Sequence, residues 1–131
     1  LLVVESGLAQ DGVGVFAQVG RRQAHWQAFL DGYFGSRDAL AGLVVVMDIR
    51  HPLKDYDRSM IGYAMRRGLP AHALLTKADK LSRGAAMNTA QAVRKDLSSS
   101  YGDSVSVQVF SGETKQGVDE LRSVVAGWLE I

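Results

Sequence analysis

A carboxylate set three residues after a threonine and two after a lysine closes the apolar run Ala71-His-Ala-Leu-Leu-Thr-Lys-Ala-Asp79-Lys80. The Asp79 carboxylate can accept two parallel hydrogen bonds from a planar edge that carries N–H and NH2 groups. Among common ligands that edge belongs to guanine. The aliphatic stem of Lys77 can lie across the face of the same ring. Thr76, Lys77, Ala78 and Asp79 thus form a candidate base-binding loop. The structural alternative is that Asp79 or Ser82 caps the helix that follows.

Such a loop needs a strand to deliver it. The run from Ala71, introduced by Gly68 and Pro70, is short and apolar enough to be a strand buried on both faces of a parallel sheet. Ligands of open parallel sheets bind at the carboxyl ends of the strands, which puts Thr76 on that rim. Gly42 to Asp48 is the clearest strand, with a β-branched centre, and Val105 to Phe110 alternates in the manner of a strand near a sheet edge. Leu1 to Glu5 reads as a further strand and Ser6 to Val15 as a glycine-bearing turn region.

Helical spacing places Val19, Trp26, Phe29, Leu30 and Tyr33 on one face of a helix from Gln18 to Tyr33, with Arg21, Arg22 and His25 on the wet side. A second helix, Tyr56 to Arg67, carries Met60, Ile61, Ala64 and Met65 inward and ends at Gly68, which suits a left-handed cap. A third, Ser82 to Leu97, turns Ala85, Ala86, Ala90 and Val93 inward and is followed by a turn over Ser98 to Asp103. The last, Val118 to Ile131, points Val118, Leu121, Val124, Val125, Trp128 and Leu129 inward. This alternation predicts an α/β fold with a doubly wound, mostly parallel sheet, right-handed crossovers and helices on both faces. The expectation is one domain over residues 1–131, with residues 1–16 atypical of it.

The 15 basic and 14 acidic residues nearly cancel, so composition makes no global electrostatic case for nucleic acid. No cysteine is present, which excludes disulfides and thiolate metal sites and accords with a reducing cytosol. No apolar run approaches the roughly 18 residues of a membrane span, so no membrane partner and a cytoplasmic location are expected.

At its tetrad the chain resembles the guanine-specificity motif, Asn/Thr-Lys-x-Asp, of the translation-factor-like P-loop GTPases. Met47-Asp-Ile-Arg-His-Pro-Leu-Lys-Asp55, Leu74-Leu-Thr-Lys-Ala-Asp-Lys-Leu81 and Val109-Phe-Ser-Gly-Glu-Thr-Lys-Gln-Gly-Val-Asp119 stand in the order and spacing of the EngB (YihA/YsxC) family of ribosome-assembly GTPases. The resemblance runs from Ala17 or nearby to the C-terminus, and the Asp-Ile-Arg-His-Pro strand ending is its most discriminating part.

The resemblance implies a bound guanine nucleotide, GTP or GDP, gripped at its base by two loops. In the family the second loop offers backbone N–H groups to the guanine carbonyl, which here falls to Phe110, Ser111 and Gly112. Ser111 and Gly112 match the family pattern, Glu113 departs from its usual leucine, and Thr114 or Lys115 must stand for its lysine. Taken alone, Ser111-Gly112 reads as a turn before a helix. The resemblance further implies action in large ribosomal subunit assembly, normal septation and cell division, and a monomer.

Magnesium is implied too, but its ligands are not found, and no catalytic residue is assigned. Gly7 and Gly12 have the glycine spacing of a phosphate-binding loop, yet Val13 and Gly14 stand where its lysine and hydroxyl belong, and Asp11 adds an adverse charge. In the family's register Gly12-Val-Gly-Val-Phe-Ala17 lies near a Gly-Tyr-Gly-Tyr-Ala segment, with its switch aspartate and proline lacking clean counterparts. At 131 residues the chain is short for a complete GTPase of this type, whose phosphate loop and first switch are expected upstream of Leu1. Two readings remain: the base-recognising part of such a GTPase, or a truncated or degenerate module that keeps the fold and a protein or ribosomal RNA contact without turnover. A doubly wound enzyme of other chemistry lacks a nucleophile–base pair or metal cluster. His51, alone beside Pro52, reads as a loop-bracing residue.

Overall fold

A computed structural model describes residues 2–6, 13–17 and 40–129, with side-chain surroundings from residue 41 to 129. Its elements are β1 (Leu2–Ser6), β2 (Val13–Ala17), β3 (Leu40–Asp48), α1 (Asp55–Arg66), β4 (Ala71–Thr76), α2 (Arg83–Tyr101), β5 (Val105–Val109) and α3 (Val118–Leu129), with 3-10 turns at Ala78–Lys80 and Gly102–Ser104. They build a sheet ordered β2-β1-β3-β4-β5. β3, β4 and β5 run parallel, while β1 pairs antiparallel with both β2 and β3.

The expected parallel arrangement therefore holds for the strands that carry the candidate loops and stops at β1. The glycine region from Ser6 to Val15 also needs correction, because Val13 already belongs to a strand. Val13, Val15 and Phe16 are extended-chain formers, and β1 gives them an antiparallel partner in which Val3 faces Phe16 and Val4 faces Val15. The proposed helix from Gln18 to Tyr33, with Arg21, Arg22 and His25, lies outside the described residues.

Strand alternation divides the core into two layers. Leu43, Val45 and Met47 of β3, with Ala71, Ala73 and Leu75 of β4, face α1 and α2. There they meet Met60, Ile61, Tyr63 and Ala64, and Ala86, Ala90, Val93 and Leu97. Val44 and Leu74 point to the opposite face and meet Leu121, Val125, Trp128 and Leu129 of α3. Helices thus cover both faces, as a doubly wound sheet requires. Gly42 is needed here: a Cβ at this position would stand 2.5 Å from the Trp128 ring.

α2 runs one turn beyond Leu97, because Tyr101 continues the stripe and packs against the same core before Gly102, at φ 64°, ends the helix. Ala85 is exposed rather than inward, since the buried stripe at 86, 90, 93 and 97 leaves it one position off the face. α3 has no fully buried residue, and its expected apolar face is half-covered, with Val118 and Val124 outside the packed cluster. β5 stands at the sheet edge, as its alternation indicated, with Ser106 exposed between buried Val105 and Val107. Gly68, at φ 69°, follows α1 in the left-handed conformation expected of it.

Candidate functional site

The register of the parallel strands decides which loops meet. Asp48 pairs with Thr76 at the ends of β3 and β4, and Leu75 pairs with Val109 at the ends of β4 and β5. Three loops therefore leave one rim together: 49–54, 77–82 and 110–117. Backbone hydrogen bonds lock their first residues. Ile49 N–H donates to Thr76 O at 3.0 Å, Phe110 N–H to Leu75 O at 2.8 Å, and Ala78 N–H to Phe110 O at 3.1 Å.

The seven residues expected at the site divide into braces and presenters. Thr76 braces: its hydroxyl donates to Met47 O at 3.0 Å. Ala78 is buried, and Phe110 spends its N–H on Leu75 O of β4 and its carbonyl on Ala78 N–H of the neighbouring loop while its ring packs on the α3 side of the sheet. Lys77 and Asp79 are the presenting members of the tetrad. Lys77 takes the left-handed conformation, φ 60° and ψ 33°, which turns the chain sharply so that Asp79 follows on a 3-10 turn.

Asp79 is not a helix cap. Ser82 performs that task, accepting a hydrogen bond from Ala85 N–H at 3.2 Å. The Asp79 carboxylate is instead held by the second loop, where Ser111 Oγ–H donates to Asp79 Oδ1 at 2.8 Å. Ser111 is fully buried, and its hydroxyl also accepts from Thr114 N–H at 3.2 Å. The hydrogen bond from Ser111 is the main reason the Asp79 carboxyl is held below the usual carboxylate range. Lys80 Nζ stands 3.8 Å from the other oxygen.

The second loop narrows the choice of a backbone donor. Phe110 N–H and Ser111 N–H are both taken, the latter by Gln116 O at 3.0 Å, whereas Gly112 N–H meets no acceptor among the described residues. Arg50, Thr76, Lys77, Asp79, Lys80, Gly112 and Glu113 line an open cleft of about 350 Å³. It can take a planar ring with a donor edge toward Asp79 and an acceptor toward Gly112 N–H. Among the described residues no three carboxylate or imidazole groups come together.

Sequence reasoning missed Asp48 and Arg50 as site residues. Arg50 forks onto Asp48, with Nε donating to Oδ1 at 3.0 Å and a terminal nitrogen to Oδ2 at 2.7 Å, while Arg50 N–H donates to Oδ1 at 2.9 Å. The Arg50 fork drives the Asp48 carboxyl far below its ordinary range. Lys77 Nζ lies 3.8 Å from Asp48 Oδ2. The available signal was the Asp48-x-Arg50 spacing at a strand end beside the tetrad strand.

A second buried network supports the loop from below. His72 Nε2 and Gln108 Oε1 are 2.7 Å apart, His72 Nδ1 and Ser106 Oγ 2.6 Å, and Gln108 Nε2 donates to Val109 O at 3.1 Å and Gly117 O at 3.0 Å. Because an amide oxygen can only accept, Nε2 carries a proton; burial lowers the pKa of His72 and so favours its neutral form, in which Nδ1 accepts from Ser106 Oγ–H. Gly117, at φ 85°, crosses so near that a Cβ would stand 2.4 Å from Val109 O.

A mixed α/β sheet whose three parallel strands carry a Thr-Lys-x-Asp loop and a neighbouring serine loop at one rim has the fold of a GTPase domain. The translation elongation factor SelB from Methanococcus maripaludis, in complex with the GTP analogue GPPNHP, superposes with a TM-score of 0.72 over 98% of this chain and 28% of its own, at 15% identity. Its apo form gives 0.58 over 68% of this chain and 20% of its own, at 22% identity. By sequence the chain belongs with the EngB family. It is 74% identical over 107 residues to the probable GTP-binding protein EngB of Stenotrophomonas maltophilia, covering 82% of this chain and 54% of that protein. The counterpart from Xanthomonas campestris pv. campestris is 71% identical over 82% of this chain and 52% of its own. The chain spans about half the length of the curated relatives it matches. No protein-family model matches it.

Proposed function

We propose that the cleft between Lys77, Asp79 and Gly112 is a guanine-base site. The observation that carries the reading is the Asp79 carboxylate, taken out of helix capping and oriented by Ser111 from the adjacent loop. Held this way it keeps acceptor capacity for the N1–H and 2-amino group of guanine. Gly112 N–H would serve O6, and the Lys77 stem would cover a ring face.

The phosphates are a separate matter. Phosphoryl transfer depends on a loop of N–H groups and a lysine around the β- and γ-phosphates, with magnesium held by a hydroxyl and an acidic group. The sequence from Leu1 to Val19 supplies none of these in recognisable form. Base contacts alone, at about 0.5–1.5 kcal/mol per hydrogen bond, correspond to millimolar affinity or weaker once association entropy is subtracted. This chain is therefore expected to bind guanine nucleotides weakly and not to turn GTP over. Calorimetric titration with GDP, GTP and ADP, together with a phosphate-release assay, tests this. A guanine preference without turnover supports it. Magnesium-dependent micromolar affinity would show that the N-terminal glycine region is a working phosphate site.

The EngB resemblance supports a role in large ribosomal subunit assembly, and through it in septation and division, in the cytoplasm and as a monomer. Among the described residues no helix is long and apolar enough to cross a membrane. A non-hydrolysing module with a ribosomal contact is the second reading, favoured by the same glycine region. Its contact surface would be basic. Arg67 Nη1 donates to Tyr63 Oη at 3.0 Å and its guanidinium covers the Tyr63 ring, leaving exposed Arg66 as the more available cation of that pair. Co-sedimentation with large subunits, unchanged after charge reversal at Arg21, Arg22, Arg66 and Arg67, would exclude that surface.

A further inference from the structure

We infer that Asp48 is a positioning residue of the cleft, whose carboxylate, locked by Arg50, anchors the Lys77 ammonium so that the lysine stem is laid across the ring-binding face. The inference rests on the base-site reading above.

The sheet makes the neighbours. Asp48 and Thr76 are register partners at the ends of β3 and β4, so the residue after Thr76 must emerge beside Asp48. The exit of Lys77 is fixed by its backbone, which holds a left-handed φ of 60° between the Ile49–Thr76 and Ala78–Phe110 hydrogen bonds. A left-handed lysine is unfavourable unless its surroundings impose it. Its side chain is 58% exposed and, without an anchor, would sample many rotamers.

Asp48 supplies the anchor. Oδ1 accepts Arg50 N–H and Nε–H, Oδ2 accepts a second guanidinium N–H, and the remaining capacity of Oδ2 faces Lys77 Nζ at 3.8 Å. The Arg50 fork keeps the carboxylate ionised and its plane fixed, so the ammonium is drawn to one place. Lys77 thus acts on the ring through its methylenes while its charge is spent on Asp48. Arg50, though it lines the cleft, spends its side-chain hydrogen bonds on Asp48 and reaches the Asp79 carboxylate only as a nearby charge.

A double-mutant cycle followed by NMR titration of the whole chain with GDP is the test, using Asp48→Asn, Lys77→Met and the pair. Lys77→Met keeps the stem and removes the ammonium. Asp48→Asn is expected to weaken GDP binding about two- to fivefold when Lys77 is present, the range of an exposed ion pair, and to cause no further loss in the Lys77→Met background. An equal loss in both backgrounds, or none in either, overturns the inference, because a purely structural role for the Asp48 turn would not depend on the Lys77 charge. If Asp48→Asn does not fold, Arg50→Gln in the same cycle replaces it, with the same coupling expected and the same additivity overturning it. Asp79→Asn separates the two levels: additivity beside a lost guanine preference in Asp79→Asn removes only the role of Asp48. A wild-type chain that does not prefer GDP to ADP removes the base site and this inference together.

Discussion

Ser111 Oγ donates to Asp79 Oδ1 at 2.8 Å across 32 residues of sequence, and this hydrogen bond joins the side chains of the two loops of the cleft, beside the backbone bond from Ala78 N–H to Phe110 O. It exists because β4 and β5 are parallel neighbours whose ends are in register, so the residues after each strand leave the sheet side by side. Ser111 is buried and shares its oxygen with Thr114 N–H, leaving the hydroxyl one direction in which to donate.

Ser111→Ala should therefore raise the pKa of Asp79 toward the ordinary carboxylate value of 3.8, since the Ser111 hydrogen bond is the largest cause of its lowering. A depressed carboxylate keeps its charge until the pH falls through the folded value. In the variant the charge is lost at a higher pH than in the wild type, and ligand binding that needs it is lost there too. Carboxyl-carbon NMR titration of Asp79 checks this, and an unchanged midpoint contradicts it.

Asp79→Asn should shift preference from guanine toward xanthine nucleotides. The amide presents one acceptor and one donor where the carboxylate presents two acceptors, and xanthine carries a carbonyl where guanine carries the 2-amino group. Competition titration with GDP and XDP measures the exchange. Unaltered discrimination would remove Asp79 from base recognition.

Gly117→Ala should destabilise the second loop by about 1–3 kcal/mol or more, through left-handed strain and overpacking together. The added Cβ would meet Val109 O at 2.4 Å and Gln108 Nε2 at 2.6 Å. Urea denaturation gives the cost. Cross-peak shifts at Ser111 and Gly112 should show that the damage reaches the cleft.

His72 should make folding weaker in mild acid. Burial lowers its pKa from 6.5, opposed by the Gln108 hydrogen bond and the nearby Glu120 charge. Below 6.5 the unfolded chain binds a proton that the folded chain refuses, so stability falls as pH drops through that region and levels off only below the folded value. His72→Gln should flatten this slope in denaturation series at several pH values. It should also cost about 1–3 kcal/mol near neutrality if the amide satisfies only one of the two partners. A slope equal to that of the wild type would show that the acid sensitivity lies elsewhere.

Much was legible in the sequence because local patterns had a single physical reading. The β-branched run to Asp48, the apolar run to Thr76 and the 86-90-93 part of the third helix each prescribe one element through burial needs that neighbouring residues settle, while the choice of Ser82 over Asp79 as cap and the exposure of Ala85 were decided by the structure. The Thr76-Lys77-Ala78-Asp79 tetrad and the Ser111-Gly112 loop could likewise be named from residue chemistry and resemblance. What only the tertiary structure decided was which groups are spent and which remain. Strand register, a long-range property, assigned Thr76, Ala78 and Phe110 to bracing, handed Asp79 to Ser111, left Gly112 N–H open, and set Asp48 beside Lys77. The antiparallel course of β1 and β2 was equally beyond local reading, because Val13 to Ala17 is extended only with a partner strand to pair with. A hydrogen bond between residues far apart in the chain has no local signature, and this cleft is made of such bonds.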